Sequence, residues 1–428
     1  MTTLTRAARF SPLAAALVAL PALATNGYFP HGYGLKANGM AGASTALAQD
    51  SMGGATNPAS MVFAGSRFDV GATIFSPRRD AARSGAGIPS INGSVDSDSN
   101  YFLVPELGYN RLINSRLSAG VTVYGNGGMN TDYPQGNFNC GRGPANILCG
   151  AGPLGVDLIQ LIVAPTVSYK VADRHAVGLS LLLGYQRFKA EGLQAFAAMP
   201  GFSQAPANVT NNGHDNSTGV GVRVGYFGQL SERVNVGVAY SPRMHMSKFD
   251  KYSGLFANGG SFDIPENYSL GVAFVPAPNW TVAADYQRIN YAKVRSVGAP
   301  SLPTAPLGSP GGAGFGWRDV DIIKLGLAWQ MNPQWQLRAG INHGRNPISS
   351  ADVTFNILAP GVMTTHYTAG FTRALANNSE LTAAFMVSPR RSVTGPSLMN
   401  VMFGAPVAGN ETIRMREFSV GLGWSKKF

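Results

Sequence analysis

The sequence has 428 residues with an unusual composition: 53 glycines, only 13% charged residues and a formal net charge of +11 at pH 7. A basic balance is typical of nucleic-acid-binding proteins, but no basic helix or stripe with interleaved aromatic residues is present, which argues against that class. After residue 24, no stretch is long and apolar enough to cross a bilayer as a helix. A closed barrel of alternating strands is another way for such a chain to live in a membrane.

Residues 1–24 have the features of a secretory signal peptide. Two arginines precede an apolar run at residues 13–20, and Ala22-Leu23-Ala24 follows it. A membrane helix needs about 20 apolar residues, and Pro12 and Pro21 bracket far fewer. We therefore expect cleavage after Ala24 and export of the rest of the chain.

Residues 25–66 are rich in glycine, alanine, serine and asparagine, and they show neither a strand period nor a helical one. Such a segment cannot bury enough apolar surface to form a core of its own. Because alternating strands follow it, we predict that it lies as a plug, or hatch, inside whatever those strands enclose. Asn57-Pro58-Ala59 favours a tight turn and is predicted to anchor the hatch. Tyr28 and Phe29 are predicted ligand contacts near the mature N-terminus.

From residue 67 to residue 428, apolar and polar residues alternate with a two-residue period. We predict an all-β fold, a 14-stranded antiparallel transmembrane β-barrel over residues 67–428, with both termini on the periplasmic side. The predicted strands are 67–77, 99–110, 116–125, 157–171, 174–190, 217–230, 233–249, 265–276, 279–295, 318–331, 334–346, 364–376, 379–391 and 414–428.

The links between these strands alternate in length. Links after even-numbered strands are short, as in Ala172-Asp173-Arg174, whereas links after odd-numbered strands are long, as at 78–98 and 126–156. Short periplasmic turns and long outer loops are typical of bacterial outer-membrane barrels. Cys140 and Cys149 lie in one long loop and are predicted to form a disulfide in an oxidising compartment.

Several short motifs carry a family resemblance. They are the run from Gly34 to Ala43, Asp50, Asn57-Pro58-Ala59, Gly316-Trp317-Arg318-Asp319, Lys324-Leu325-Gly326 and Leu337-Arg338-Ala339-Gly340-Ile341. Together with the strand pattern, they resemble the FadL/OmpP1/TodX family of outer-membrane transporters for hydrophobic compounds, over the whole mature chain. The terminal Phe428, in the lipid-facing register of the last strand, resembles the C-terminal signature of outer-membrane barrel proteins.

The resemblance implies uptake of hydrophobic compounds, with long-chain fatty acids as the favoured substrate. No energy-coupling segment is evident before the hatch, so we expect the transport to be energy-independent. The resemblance also implies a lateral exit into the bilayer through a kink in the third strand, for which Gly125, Gly127 and Gly128 are the candidates. Monoaromatic or alkane hydrocarbons are the alternative substrates. A structural or surface-receptor barrel is a further alternative.

Three cations, Lys324, Arg338 and Arg223, face the lumen by strand parity. A cation in a partly dehydrated lumen attracts a carboxylate through charge-assisted hydrogen bonds, which suits a fatty-acid head group. The alternative is that these side chains pair with carboxylates of the plug or wall, such as Asp50, Asp69 and Glu106, or are simply hydrated. Phe227 shares the inward register, so it either lines an apolar ligand pocket or packs against the plug.

The sequence gives no sign of catalysis. Its six histidines are scattered, and no Gly-x-Ser-x-Gly motif is present. We therefore expect no enzymatic activity, no metal and no cofactor. The expected partners are the hydrophobic substrate, outer-membrane lipid and lipopolysaccharide, but no nucleic acid, and the expected state is a monomer.

Overall fold

The structure is a computed structural model that describes residues 26–136, 138–141, 143–302, 304–402, 404 and 406–428. The predicted signal peptide, residues 1–24, lies outside the described residues. Within these ranges, no helix combines the length and the apolar character that crossing a membrane requires.

Fourteen long antiparallel strands form the wall, and the pairing of the first with the last closes the sheet on itself. A further short strand, Gly93–Asp96, pairs only with the first strand. The predicted 14-stranded barrel is therefore confirmed. The strands are β1 Arg67–Ser84, β2 Phe102–Leu112, β3 Leu117–Tyr133, β4 Leu154–Ala172, β5 His175–Glu191, β6 Asp215–Gln229, β7 Val234–Ser241, β8 Asn267–Ala277, β9 Trp280–Ile289, β10 Val320–Asn332, β11 Trp335–Gly344, β12 Thr365–Ala374, β13 Ser379–Pro396 and β14 Asn410–Lys427.

The wall is apolar outside and polar inside. On β1, Val70 and Ile74 are exposed on the outer face, whereas Asp69 and Thr73, each directly before one of them in the chain, are buried towards the lumen. The outer side chains of β14 follow the same rule, with Trp424 among them. A barrel in lipid needs this arrangement because each strand has one face towards lipid and the other towards the lumen.

All short turns lie at one end of the barrel and all long loops at the other, as the link lengths predict. Two strand ends were predicted too far: β7 stops at Ser241 instead of 249, and β9 at Ile289 instead of 295. Apolar and polar residues still alternate there, but Phe249 and Tyr291 are buried among other aromatic residues instead of continuing the wall.

Residues 26–66, here called the N-terminal segment, consist of short helical turns at Leu35–Asn38, Ser51–Ala55, Pro58–Ser60 and Met61–Ala64. Most of the segment is buried, and it contacts strands around the circumference of the wall, so it fills the lumen. Wall glycines permit the close approach: a Cβ on Gly237 would lie 2.0 Å from the Thr45 carbonyl oxygen. The first wall strand begins at Arg67, at the predicted boundary. The assignment of 25–66 as a working hatch remains a prediction.

Wall carboxylates hold the N-terminal segment by its backbone. The Asp285 Oδ2 atom accepts hydrogen bonds from the backbone N–H groups of Ser44 and Thr45, at 2.8 and 2.9 Å. Glu106 Oε1 accepts one from the Leu35 N–H at 2.9 Å. These hydrogen bonds join the segment to β2 and to β9, so two separate strands of the wall fix its position.

Candidate functional site

β3 departs from regular pairing at the glycines that the sequence singled out. Between Gly125 and Gly127 its register with β4 shifts by one residue, and Gly127 has a φ of +154°. A bulge of this kind bends a strand and increases its local twist. The shift also reverses which residues face inward and which face outward along β3. Because the two-residue period breaks there, the sequence predicts a strand that ends at residue 125, whereas β3 runs to Tyr133.

The bulge lies beside an opening between β2 and β3, here called the β2–β3 gap. Their pairing ends at Glu106 and Tyr124; beyond it, β2 pairs with β1 alone and β3 with β4 alone. The gap ends on the loop side, where the Asp98 N–H donates to the Asp132 carbonyl at 2.8 Å. Between Tyr124 and Asp132, in a fully described stretch, the wall has no backbone ladder across these two strands.

The start of the N-terminal segment meets β3 at this gap. The Gly128 N–H donates to the Tyr28 carbonyl oxygen at 3.2 Å. A Cβ on Gly127 would lie 2.0 Å from the same oxygen, so only glycine permits this approach. The structure thus brings together Tyr28, a predicted ligand contact, and the predicted kink.

An aromatic cluster surrounds Tyr28 and Phe29. The Tyr291 hydroxyl accepts hydrogen bonds from both backbone N–H groups, at 3.2 Å each, and donates to the Asn26 carbonyl at 2.6 Å. The rings of Tyr28 and Trp317 lie 5.8 Å apart, centroid to centroid. Sequence reasoning gave Tyr291 and Trp317 no site role, although Trp317 lies in a motif of the family resemblance.

The long loops border an apolar space of about 500 Å³, part of it open to solvent, here called the outer cavity. Aromatic side chains from several loops and from β5 line it, including Phe188, Phe196, Phe256 and Phe355. Every lining residue except Ser296 is apolar or glycine. A pocket of this composition suits the hydrocarbon part of a ligand.

A second space of about 330 Å³, part of it open to solvent and here called the gap-side cavity, lies against the bulged part of β3. Its lining includes Phe75, Gly128, Met129 and Trp317, and one cationic side chain, Arg79. It is therefore an apolar space with a single positive charge, next to the β2–β3 gap.

Arg79 is 5% exposed, and its Nη1 donates to the Asn130 carbonyl oxygen. Its Nε and Nη2 have no hydrogen-bond partner among the described residues. Glu417, on the adjacent strand, lies 3.5 Å from the ring of His366, measured between Oε2 and Nε2. Sequence reasoning missed Arg79 because it placed residue 78 onward in a loop; extending the inward parity of β1 beyond Pro77 would have found it.

The three predicted lumen cations face inward and are engaged by protein groups. Lys324 Nζ donates to the His31 carbonyl oxygen at 2.9 Å. Arg223 donates to the Ala55 carbonyl oxygen, and Arg338 donates to the Thr372 hydroxyl at 2.7 Å. None of the three lines the outer or the gap-side cavity. Their predicted contact with ligand remains a prediction.

Asn57, Pro58 and Ala59 lie against β5 and β6. Asn57 Nδ2 donates to the carbonyl oxygens of Thr45 and Tyr226, at 2.8 Å each, which ties the segment to itself and to the wall. Phe227 packs against Phe63 of the segment, with ring centroids 5.1 Å apart. Phe227 therefore contacts the N-terminal segment and lies outside both apolar cavities.

A disulfide joins Cys140 and Cys149 in the loop between β3 and β4, as the sequence predicts. Among the described residues, no group of three or more histidine, cysteine, aspartate and glutamate side chains is arranged to hold a metal ion.

Burial shifts the ionisation of groups in the N-terminal segment. It lowers the pKa of His31 from 6.5 to about 4, with a further contribution from the positive charge of Lys324. It also lowers the pKa of Lys36 to about 8, although Glu380 lies 2.6 Å from its Nζ. At neutral pH, His31 is therefore uncharged inside the barrel.

Comparisons with known proteins agree with this architecture. Three similar solved structures are the toluene transporter TodX of P. putida (TM-score 0.67, 17% identity, covering 93% of this chain and 99% of that one), the toluene transporter TbuX of Ralstonia pickettii (0.63, 16%, 93% and 99%) and a FadL homologue of Pseudomonas aeruginosa (0.67, 15%, 96% and 100%). At these identities the likeness shows the fold. A comparison with curated protein sequences finds no match.

The sequence itself matches a family profile over residues 16–394, most of its length, and the description of that family is outer membrane protein transport protein (OMPP1/FadL/TodX). The barrel, the lumen-filling N-terminal segment and the bulged third strand are thus those of an outer-membrane protein, and the chain belongs to the OMPP1/FadL/TodX family of outer-membrane transport proteins.

Proposed function

We propose that this protein takes up hydrophobic compounds and releases them sideways into the outer membrane through the β2–β3 gap. The observation that carries the proposal is the series of apolar spaces from the loops to the gap. Leu358 and Ala359 are adjacent in the chain and line the outer and the gap-side cavity, respectively. Transfer of an apolar solute from water into such spaces and then into lipid is favourable, so no energy source is needed.

The N-terminal segment supports a sideways exit because it makes the axial route polar. A space of about 410 Å³ between segment and wall, part of it open to solvent, is lined by Ser44, Thr45, Thr56, Gln287 and Lys324, among others. An apolar solute gains little in such surroundings compared with the lipid beyond the gap. We propose that the segment acts as a hatch that closes the axial route.

The environment of Arg79 favours long-chain fatty acids as the substrate. A buried hydrogen-bonding group without a partner costs about 1–3 kcal/mol, and more when it is charged. The free Nε and Nη2 of Arg79 face an apolar cavity, and a carboxylate there would accept two charge-assisted hydrogen bonds. The hydrocarbon tail would then lie along Phe75 and Met129, towards the gap.

Monoaromatic or alkane hydrocarbons are the second candidate, and the outer cavity favours them. Its lining contains no charged side chain and only one polar side chain, that of Ser296. A neutral hydrocarbon needs nothing more than such a pocket. For this substrate class Arg79 would be a structural charge.

Uptake of labelled oleate and labelled toluene by cells that lack their own transporters separates the two candidates. With Arg79→Gln, we expect oleate uptake to fall at least fivefold and toluene uptake to stay within twofold. Arg318→Gln removes an exposed loop cation next to Trp317 and is the matched control. Oleate uptake that is unchanged in Arg79→Gln would contradict the fatty-acid assignment. If wild-type cells take up neither compound faster than cells without the protein, the uptake function itself is wrong.

A further inference from the structure

On the outer face of β1 and β14, apolar side chains give way to arginine side chains at one height along the barrel axis. Its cross-strand pairs, taken from the short-turn end upward, are Val70 with Trp424, Ala72 with Leu422, Ile74 with Val420, Ser76 with Phe418, Arg78 with Arg416 and Asp80 with Arg414. The first three pairs belong to the lipid-facing band, and in the fourth Phe418 is exposed on that band whereas Ser76 is buried. The arginines begin where this band ends, on the side of the long loops.

The height of the change matches the outer edge of the membrane. Arg416 precedes Trp424 by 424 − 416 = 8 residues on β14. At about 3.4 Å per residue and a strand tilt of about 40°, these residues are roughly 20 Å apart along the barrel axis. The apolar band of an outer-membrane barrel is about 25 Å tall. Arg78 and Arg416 therefore lie at the level of the head groups of the outer leaflet.

The positive charges of Arg78 and Arg416 are not neutralised by an ion pair in the part of the chain that the structure describes. Like charges directly opposite each other on neighbouring strands are destabilising. Among the described residues, no carboxylate forms an ion pair with Arg78 or Arg416. Arg78 Nη2 donates to the hydroxyl of Tyr101 at 2.7 Å, and Tyr101 is itself 62% exposed.

The surroundings do not supply the missing negative charge. Asp80 is already shared by Arg390 and Arg414, at 2.5 and 2.7 Å. Asp96 lies opposite Asp80 on the short extra strand. The cluster therefore has two more positive charges than negative ones. Its cations are Arg78, Arg390, Arg414 and Arg416, and its anions are Asp80 and Asp96. Arg288, also near the loop end, is by contrast paired with two carboxylates, those of Asp319 and Asp321.

We infer that this arginine cluster on β1, β13 and β14 binds the phosphate groups of lipid A, the phosphorylated glycolipid of the outer leaflet. The planar guanidinium group matches phosphate oxygens in bidentate geometry, and two opposed arginines can share one phosphate. The apolar band directly below offers a surface for the acyl chains. The inference requires only that the barrel lies in the outer membrane, so it is independent of the transported substrate.

Native mass spectrometry of the folded full-length protein in detergent tests the inference, with diphosphoryl and monophosphoryl lipid A as probes. The test variant is Arg78→Gln with Arg416→Gln, and the matched control is Arg288→Gln with Lys293→Gln, which removes two paired cations at the same end. We expect the test variant to bind diphosphoryl lipid A at least tenfold more weakly than the wild type and the control to stay within twofold. Unchanged binding by the test variant, or equal binding of both lipids by the wild type, would overturn the inference.

Thermal unfolding gives a second readout that a merely structural role would not produce. Without lipid A, removing one of two opposed like charges relieves repulsion, so Arg416→Gln should unfold at a temperature no lower than the wild type. With diphosphoryl lipid A added, the wild type should gain several degrees and the variant much less. If Arg416→Gln lowers the unfolding temperature without lipid A, the arginine pair is a structural element and the inference fails.

Discussion

His31 joins the N-terminal segment to the wall. Its carbonyl oxygen accepts a hydrogen bond from Lys324, and its ring lies parallel to that of His366, with centroids 6.0 Å apart. Its Nε2 atom has no hydrogen-bond partner among the described residues. A proton on this ring would therefore place a second positive charge beside that of Lys324 in a buried site.

The docking of the N-terminal segment should weaken in acid because of His31. Its pKa is about 4 when docked and 6.5 when exposed to water, so the released segment binds the proton more tightly. The contribution of neutral His31 to the docking free energy is fully present above pH 6.5, and it is lost progressively as the pH falls to about 4. At about 1.36 kcal/mol per pKa unit, the loss is about 3 kcal/mol. Distances between spin labels on the segment and on the wall, recorded at pH 7, 5.5 and 4, measure the release.

His31→Asn is the control for this pH dependence, because it keeps a polar side chain of similar size without a titrating ring. We expect the variant to release the segment to the same extent at pH 7 and at pH 4. An acid-induced release that is as large in His31→Asn as in the wild type would assign the effect to other groups, His366 among them.

The inward cations show what strand parity can and cannot predict. Alternation along β10 and β11 correctly places Lys324 and Arg338 in the lumen, because parity fixes which face a side chain is on. Their partners could not be predicted, since a backbone carbonyl such as that of His31 reaches Lys324 only through the tertiary path of the N-terminal segment. Arg79 was missed for a different reason: Pro77 and the charged residues after it resemble the start of a loop, whereas pairing with β14 extends β1 to Ser84.

The bulge of β3 allows two glycines to be compared within one element. A Cβ on Gly127 would collide with the backbone of Tyr28, and its φ of +154° is unfavourable for any other residue. A Cβ on Gly125 would meet only the Val104 Cγ1 atom, at 3.3 Å. Gly127 is therefore required by the junction of β3 with the N-terminal segment, and Gly125 is not.

Gly127→Ala should destabilise the folded barrel or its junction with the segment by about 1–3 kcal/mol, the usual cost of a strained backbone position. Gly125→Ala should change stability by less than about 0.5 kcal/mol, as for most substitutions without a buried clash. Thermal unfolding, followed by the mobility of folded and unfolded barrel on gels, measures both. Equal stabilities of the two variants would contradict the close approach of Tyr28 to β3.

The strands themselves could be predicted from the sequence because lipid on one side and a polar lumen on the other impose the same alternation on every strand. The end of β3 could not, since glycines carry no side chain to show which face they occupy. The ends of β7 and β9 could not either, because apolar residues that follow, such as Phe249, pack against the aromatic residues of the outer cavity instead of facing lipid.

Taken as one barrel, the protein contains every part that the proposed route needs. The outer cavity, the gap-side cavity, the N-terminal segment and the β2–β3 gap all lie within a single chain. Closure could be predicted from the even strand number and the alternating link lengths. The cavities could not, since they depend on how the long loops fold over the lumen. We propose that the monomer is the functional unit.

A cysteine pair across the β2–β3 gap tests the lateral exit most directly. A Cβ on Gly125 would lie 3.3 Å from the Val104 Cγ1 position. Val104→Cys with Gly125→Cys therefore places a disulfide at the end of the gap where the pairing of β2 with β3 stops, next to Glu106 and Tyr124. We expect uptake of oleate and toluene to fall at least fivefold when the disulfide forms and to recover with reductant. Each single cysteine variant, and the wild type with its Cys140 to Cys149 disulfide under the same reductant, are the controls. Wild-type uptake of both compounds by the cross-linked protein would show that they leave by another path and would contradict the lateral exit.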